Sequence, residues 1–109
     1  MTTFDQREQA FEAQFGHNQE MQFKAHARKN KLLGLWAAGL MGKTSKEAEK
    51  YARDIVIAAI EKPGAHDVVH TLMHDLAAAG KHVEEHTIRR QGERLLLQAK
   101  QQIMTEVKG

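Results

Sequence analysis

The stretch Thr44-Ser45-Lys46-Glu47-Ala48-Glu49-Lys50-Tyr51-Ala52-Arg53-Asp54-Ile55-Val56-Ile57-Ala58-Ala59-Ile60 decides how the rest of the chain is read. Within it Ala48, Tyr51, Ala52, Ile55, Val56, Ala59 and Ile60 recur at alternating spacings of three and one. That rhythm places them on one face of an α-helix. Thr44, with Glu47 three residues later, supplies a capping box at the start, in which each side chain satisfies the other residue's orphan amide. Pro63 and Gly64, the one Pro of the chain beside a Gly, stop the helix.

The same logic runs outward in both directions. Upstream, Asn18 can cap a helix reaching about Ala38, with Met21, Ala25, Leu32, Leu35 and Trp36 near one face and Lys24, Arg28, Lys29 and Lys31 interleaved. Gly39 and Gly42 are expected to end it. Downstream, a shorter helix begins near His66 or Asp67, buries Val69, Leu72, Met73 and Leu76, and ends at Gly80. A last helix begins near Glu84, where Glu84 and Glu85 suit its positive end, and runs to about Val107 through Ile88, Leu95, Leu96, Ala99 and Ile103. No stretch keeps a period of two long enough to be a strand. The prediction is all-α: a four-helix antiparallel bundle with short connections. Trp36 is expected to be buried, and Ile55, Leu95 and Leu96 to share one core.

The first fifteen residues stand apart. Phe4, Glu8, Phe11 and Phe15 follow a helical period, and three of the four Phe in the chain sit here. Thr3 and Gln6 fit a capping box, yet about a dozen residues alone in water form a marginal helix. Such a stripe needs something to pack on, either its own domain or a partner, and composition leaves both open. Gly16, His17 and Asn18 break the period, and polarity changes there. The first twenty residues carry Asp5, Glu8, Glu12 and Glu20 against Arg7 alone, while residues 21–31 carry Lys24, Arg28, Lys29 and Lys31. The expected organisation is a mobile segment over residues 1–18 and a four-helix domain over residues 19–109.

Composition narrows the function classes. A chain of 109 residues supports one domain with a modest core. It has no Cys, which agrees with a reducing compartment and removes thiol chemistry. Its start lacks the apolar core of a secretory signal, and its longest apolar run, Leu32 to Gly42, is too short to span a membrane. A net charge of +2 spread over both signs is no nucleic-acid footprint.

Three motifs tempt. Residues 37–44 fit a relaxed phosphate loop, with Lys43 and Thr44 opening a helix, but a true phosphate loop follows a strand. His82 and His86 flank Val83, Glu84 and Glu85 in an inverted zinc-protease pattern, and His66, His70 and His74 lie one turn apart. A solvated helix face explains both sets, and no metal is expected. With Ser45, the sole Ser, at a cap, nothing points to an enzyme.

Several segments carry a resemblance: Phe4-Asp5-Gln6-Arg7-Glu8; Ala10-Phe11-Glu12-Ala13 with Phe15; Met21-Gln22-Phe23-Lys24-Ala25; and above all Arg28-Lys29-Asn30-Lys31-Leu32-Leu33-Gly34-Leu35-Trp36-Ala37-Ala38. Ile88-Arg89-Arg90, Leu95-Leu96, Ala99-Lys100 and Gln102-Ile103-Met104 continue it more softly. Together they resemble the zeta-subunit family of alphaproteobacterial F-type ATP synthases. The resemblance implies a cytoplasmic regulator, peripheral to the inner membrane through the ATP synthase. Its N-terminal segment would enter a catalytic interface of the ATPase head and block ATP hydrolysis. It also implies Phe4, Phe11 and Phe15 as buried anchors, with Arg7, Glu8 and Glu12 as polar contacts. The alternative from another class is a bundle that binds a nucleotide or other anion, weakly an adenine nucleotide, through Arg28, Lys29, Trp36, Lys43, Thr44, Arg89 and Arg90. A helix end, aromatic stacking and clustered cations would supply the binding, if the fold brings them together.

Overall fold

A computed structural model describes Ala13, residues 18–62 and residues 67–108. Four helices make up the fold: α1 (Gln19–Leu40), α2 (Ser45–Glu61), α3 (Val68–Ala78) and α4 (Glu85–Lys108). No strand occurs among the described residues. The segment expected to be mobile falls outside them apart from Ala13 and Asn18, as do Pro63, Gly64 and His66.

The helix starts follow the local chemistry. Asn18 caps α1 by accepting from the Met21 amide at 3.1 Å. At α2, Thr44 and Glu47 close the capping box in both directions, with Thr44 N donating to Glu47 Oε1 at 3.1 Å and Glu47 N donating to Thr44 Oγ1 at 3.3 Å. Asp67 caps α3 by accepting from the Val69 and His70 amides. Helices α1 and α3 end alike. Gly42 and Gly80 sit at φ 78° and 80°, the left-handed conformation in which a side chain would be strained. Each lets the next residue's amide reach back to the helix, Lys43 to the Ala38 carbonyl and Lys81 to the Leu76 carbonyl. Gly39, expected to help end α1, lies within the helix instead.

Helix α1 runs through the middle, packed most extensively against α2 and α4, with α3 touching α1 and α4 at one end. Helices α1 and α4 are antiparallel, as Arg28 near the start of α1 meets Glu106 near the end of α4, whereas α3 meets α4 start to start, with Asp67 and His70 against Arg89 and Glu85. The α1–α2 crossing is close because of Gly34, where a Cβ would lie 2.9 Å from the Ala52 Cα.

Two apolar clusters result. The larger joins Leu33, Ala37, Ile55, Leu72, Leu76, Ile88 and Leu95. The smaller joins Ala25, Ile103 and Met104, with Met21 and Leu96 packed against it. Ile55 and Leu95 therefore share a core as expected, but Leu96 belongs to the other cluster. Trp36 is half-buried at the margin of the larger core. On α1 the fully covered residues are Ala25, Leu33, Gly34, Ala37 and Ala38, rather than the expected Leu32, Leu35 and Trp36. A central helix has neighbours on several sides, so its smallest residues face the closest ones.

Candidate functional site

The candidate partner-binding residues Phe4, Arg7, Glu8, Phe11, Glu12 and Phe15 lie outside the described residues. What the structure places is the body that follows them, beginning at Asn18. The first turns of α1 are fastened to the end of α4 by Arg28. Its guanidinium donates to both Glu106 carboxylate oxygens, at 2.5 and 2.9 Å, and to Gln102 Oε1 at 3.1 Å. This forked geometry is the one a carboxylate matches best. The Arg28 hydrogen bond holds the Glu106 carboxyl below its usual range.

The remaining cations are dispersed. Lys29 is half-buried, and burial lowers its pKa. The neighbouring His26 is pushed down by burial first and then by the charges of Lys29 and Lys100. Arg89 lies at the opposite end of α4, donating to Glu85 at 2.8 Å and 3.5 Å from Asp67. Arg90 beside it is exposed. Arg28 contacts Glu106, seventeen residues further along α4 than Arg89, and that separation is about 25 Å along a helix. Lys43 lies over the Tyr51 ring, 5.6 Å from its centroid, a cation–π contact. Tyr51 in turn donates to Asp75 at 2.6 Å, and burial together with that carboxylate raises the phenol pKa. Thr44 is occupied by its cap. The seven residues expected for an anion or nucleotide site are thus not gathered round one cavity. Residues 37–40 are the last turn of α1, so the segment before Lys43 and Thr44 is helix and not the strand a phosphate loop requires.

Two of the histidines in these motifs are tied to carboxylates. His70 lies between Asp67 and Glu85, with Nδ1 and Nε2 at 3.0 and 3.2 Å, and His86 lies 3.2 Å from Glu84. Among the described residues no three or more His, Asp or Glu side chains converge so as to hold a metal ion. No helix among them is long and apolar enough to cross a membrane.

One surface was not legible in advance. Phe23, Ile57 and Ile60 are 55%, 44% and 48% exposed, although Ile60 belongs to the stripe expected to be buried. The period of α2 shows which side chains share a face, not whether a neighbour extends far enough to cover the last turn.

A family model described as ATPase inhibitor subunit zeta matches residues 1–102. A protein with a known solution NMR structure is 43% identical to this chain, with 79% of this chain and 98% of that chain covered at a TM-score of 0.66. No curated protein matches.

Proposed function

The chain belongs to the ATPase inhibitor subunit zeta family, and on that footing we propose that it is a non-catalytic regulatory subunit that stops ATP hydrolysis by the F-type ATP synthase. Its N-terminal segment, residues 1–18, enters a catalytic interface of the ATPase head, with Phe4, Phe11 and Phe15 as anchors and Arg7, Glu8 and Glu12 as polar contacts. The body stays outside, and the protein is cytoplasmic and peripheral to the inner membrane through that complex.

The observation that carries this reading is the extent of the family match. It begins at residue 1 and so includes the Phe stripe that precedes α1. Three desolvated Phe side chains supply roughly 5 to 9 kcal/mol gross. Ordering the segment offsets much of it, which favours a binding site already formed on the ATPase. The competing reading, an anion- or nucleotide-binding bundle, needs Arg28, Lys43 and Arg89 within reach of one ligand, and they stand on separate parts of the body.

The test is steady-state ATP hydrolysis by the purified ATPase with this protein added. Inhibition by the full chain and a rise in the half-inhibitory concentration for Phe11→Ala are expected. Unchanged hydrolysis at saturating protein would refute the proposal.

A further inference from the structure

Of the large apolar side chains that stay exposed among the described residues, Phe23, Ile57 and Ile60 gather at one end of the bundle and Leu40 lies at the other. Phe23 and Ile60 border a depression of about 300 Å³ together with Ala27, Val56 and Ala59. A wider one of about 550 Å³ adjoins it and runs past Phe23 and Val56 to Ile103 on α4. Ile57 stands one turn before Ile60 on the same side of α2. Apolar surface concentrated in this way on a small domain marks a contact.

Charge does not select the partner. Lys24 pairs with Glu20 and Arg28 with Glu106. Lys31 and Arg53 stand with Glu49 around the depression beside Val56, and Lys50, Asp54 and Glu61 lie within two turns of Ile57 on α2. These six exposed groups are three cations and three carboxylates. His26 adds no charge near neutral pH, because burial, and then Lys29 and Lys100, hold it below its ordinary value. A phospholipid surface or a nucleic acid calls for a net positive face. A balanced rim around apolar side chains suits another protein surface.

Position selects it. Phe23 is five residues beyond Asn18, about 7.5 Å along α1, whereas Leu40 is twenty-two residues beyond it, about 33 Å. With Phe15 anchored in the catalytic interface, residues 16–18 span at most about 11 Å. That short tether holds the start of α1, with Phe23 and the α2 side chains beside it, at the outer surface of the ATPase head.

We propose that the face formed by Phe23, Ile57 and Ile60 is a second contact with the ATPase, docking on apolar side chains of its outer surface beside the point where the inhibitory segment enters. The contact rests on the inhibitory reading above and requires nothing of the segment's conformation before it binds. Because three residues join the two contacts, the second forms at high effective concentration. It retains the bound chain, while the segment alone blocks turnover.

ATP hydrolysis by the purified ATPase, titrated with the full chain, tests this. Phe23→Gln with Ile60→Gln, both at exposed helical positions, should raise the half-inhibitory concentration about three- to tenfold with the same final inhibition. Leu40→Gln, at the far end of α1, should leave it unchanged. A photo-crosslinker on Ile57→Cys, in a chain with no other cysteine, should form an adduct with an ATPase subunit, and one on Leu40→Cys should not. Inhibition by the double variant equal to that by the parent chain, or no adduct from Ile57→Cys with the inhibited ATPase, would overturn the contact. Adducts between two copies of the chain, formed without the ATPase, would give the face to a second copy and also overturn it. A parent chain that does not inhibit would refute the inhibitory reading itself, an outcome distinct from inhibition that survives the double variant.

Discussion

In the larger core Leu33, Ala37, Ile55, Leu72, Leu76, Ile88 and Leu95 come from all four helices, whereas in the smaller cluster Ala25, Ile103 and Met104 come from α1 and α4 alone. The first end is closed by α3 and its charged links to α4. The second lies beyond the reach of α3 and keeps Phe23, Ile57 and Ile60 at the surface. Stability and recognition are therefore divided along the length of α1. Many mutually buried side chains hold one end together, and half-covered apolar side chains beside cations offer a surface at the other.

The division can be broken at its strong end first. Leu72→Ala removes a side chain with no exposed surface and should cost about 2 to 5 kcal/mol, as should Ile55→Ala within the same range, while Ile60→Ala should cost well under 1 kcal/mol. Denaturant unfolding checks all three, and equal costs would erase the contrast between the two ends. Gly34→Val forces a branched side chain toward the Ala52 backbone and should cost about 1 to 3 kcal/mol. Tyr51→Phe removes the hydrogen bond to Asp75 and should cost about 1 kcal/mol, read from the same unfolding curves.

A smaller effect belongs to pH. Burial, with Lys29 and Lys100, pushes His26 below its ordinary value of 6.5, so the unfolded chain binds this proton more readily than the folded one. Stability is then fully present above 6.5 and falls as pH drops through the folded value. Glu106 and Glu85, held below their ordinary 4.5 by Arg28 and by Arg89 with His70, add a further loss below that pH. Urea midpoints at pH 7.5, 5.5 and 4 should decline stepwise, and His26→Asn should flatten the first interval.

The helices were legible in the sequence wherever local chemistry decides them. The Thr44–Glu47 box, the Asn18 cap and the period through Ile55 each needed only near neighbours. Packing partners were less legible. Between Leu32 and Ala38 nearly every residue of α1 is apolar, so the pattern has no phase to say that Leu33 and Ala37, not Leu32 and Leu35, face the core. Leu96 packs on the smaller cluster and Leu95 in the larger, because adjacent leucines on α4 point to different neighbours. The exposed Ile60 depends on where α1 stops covering α2. The dispersal of Arg28, Lys43 and Arg89 likewise follows from helix lengths and crossing, which no short motif encodes.

The account rests on the inhibitory segment being separable from the fold, and deletion of residues 2–15 tests it most directly. ATP hydrolysis by the purified ATPase and the thermal midpoint of the truncated chain would be measured on one preparation. Inhibition should be lost while the midpoint falls by no more than about 8 °C, the shift that about 1 kcal/mol produces in a domain of this size. A far larger fall in the midpoint with inhibition retained would contradict it.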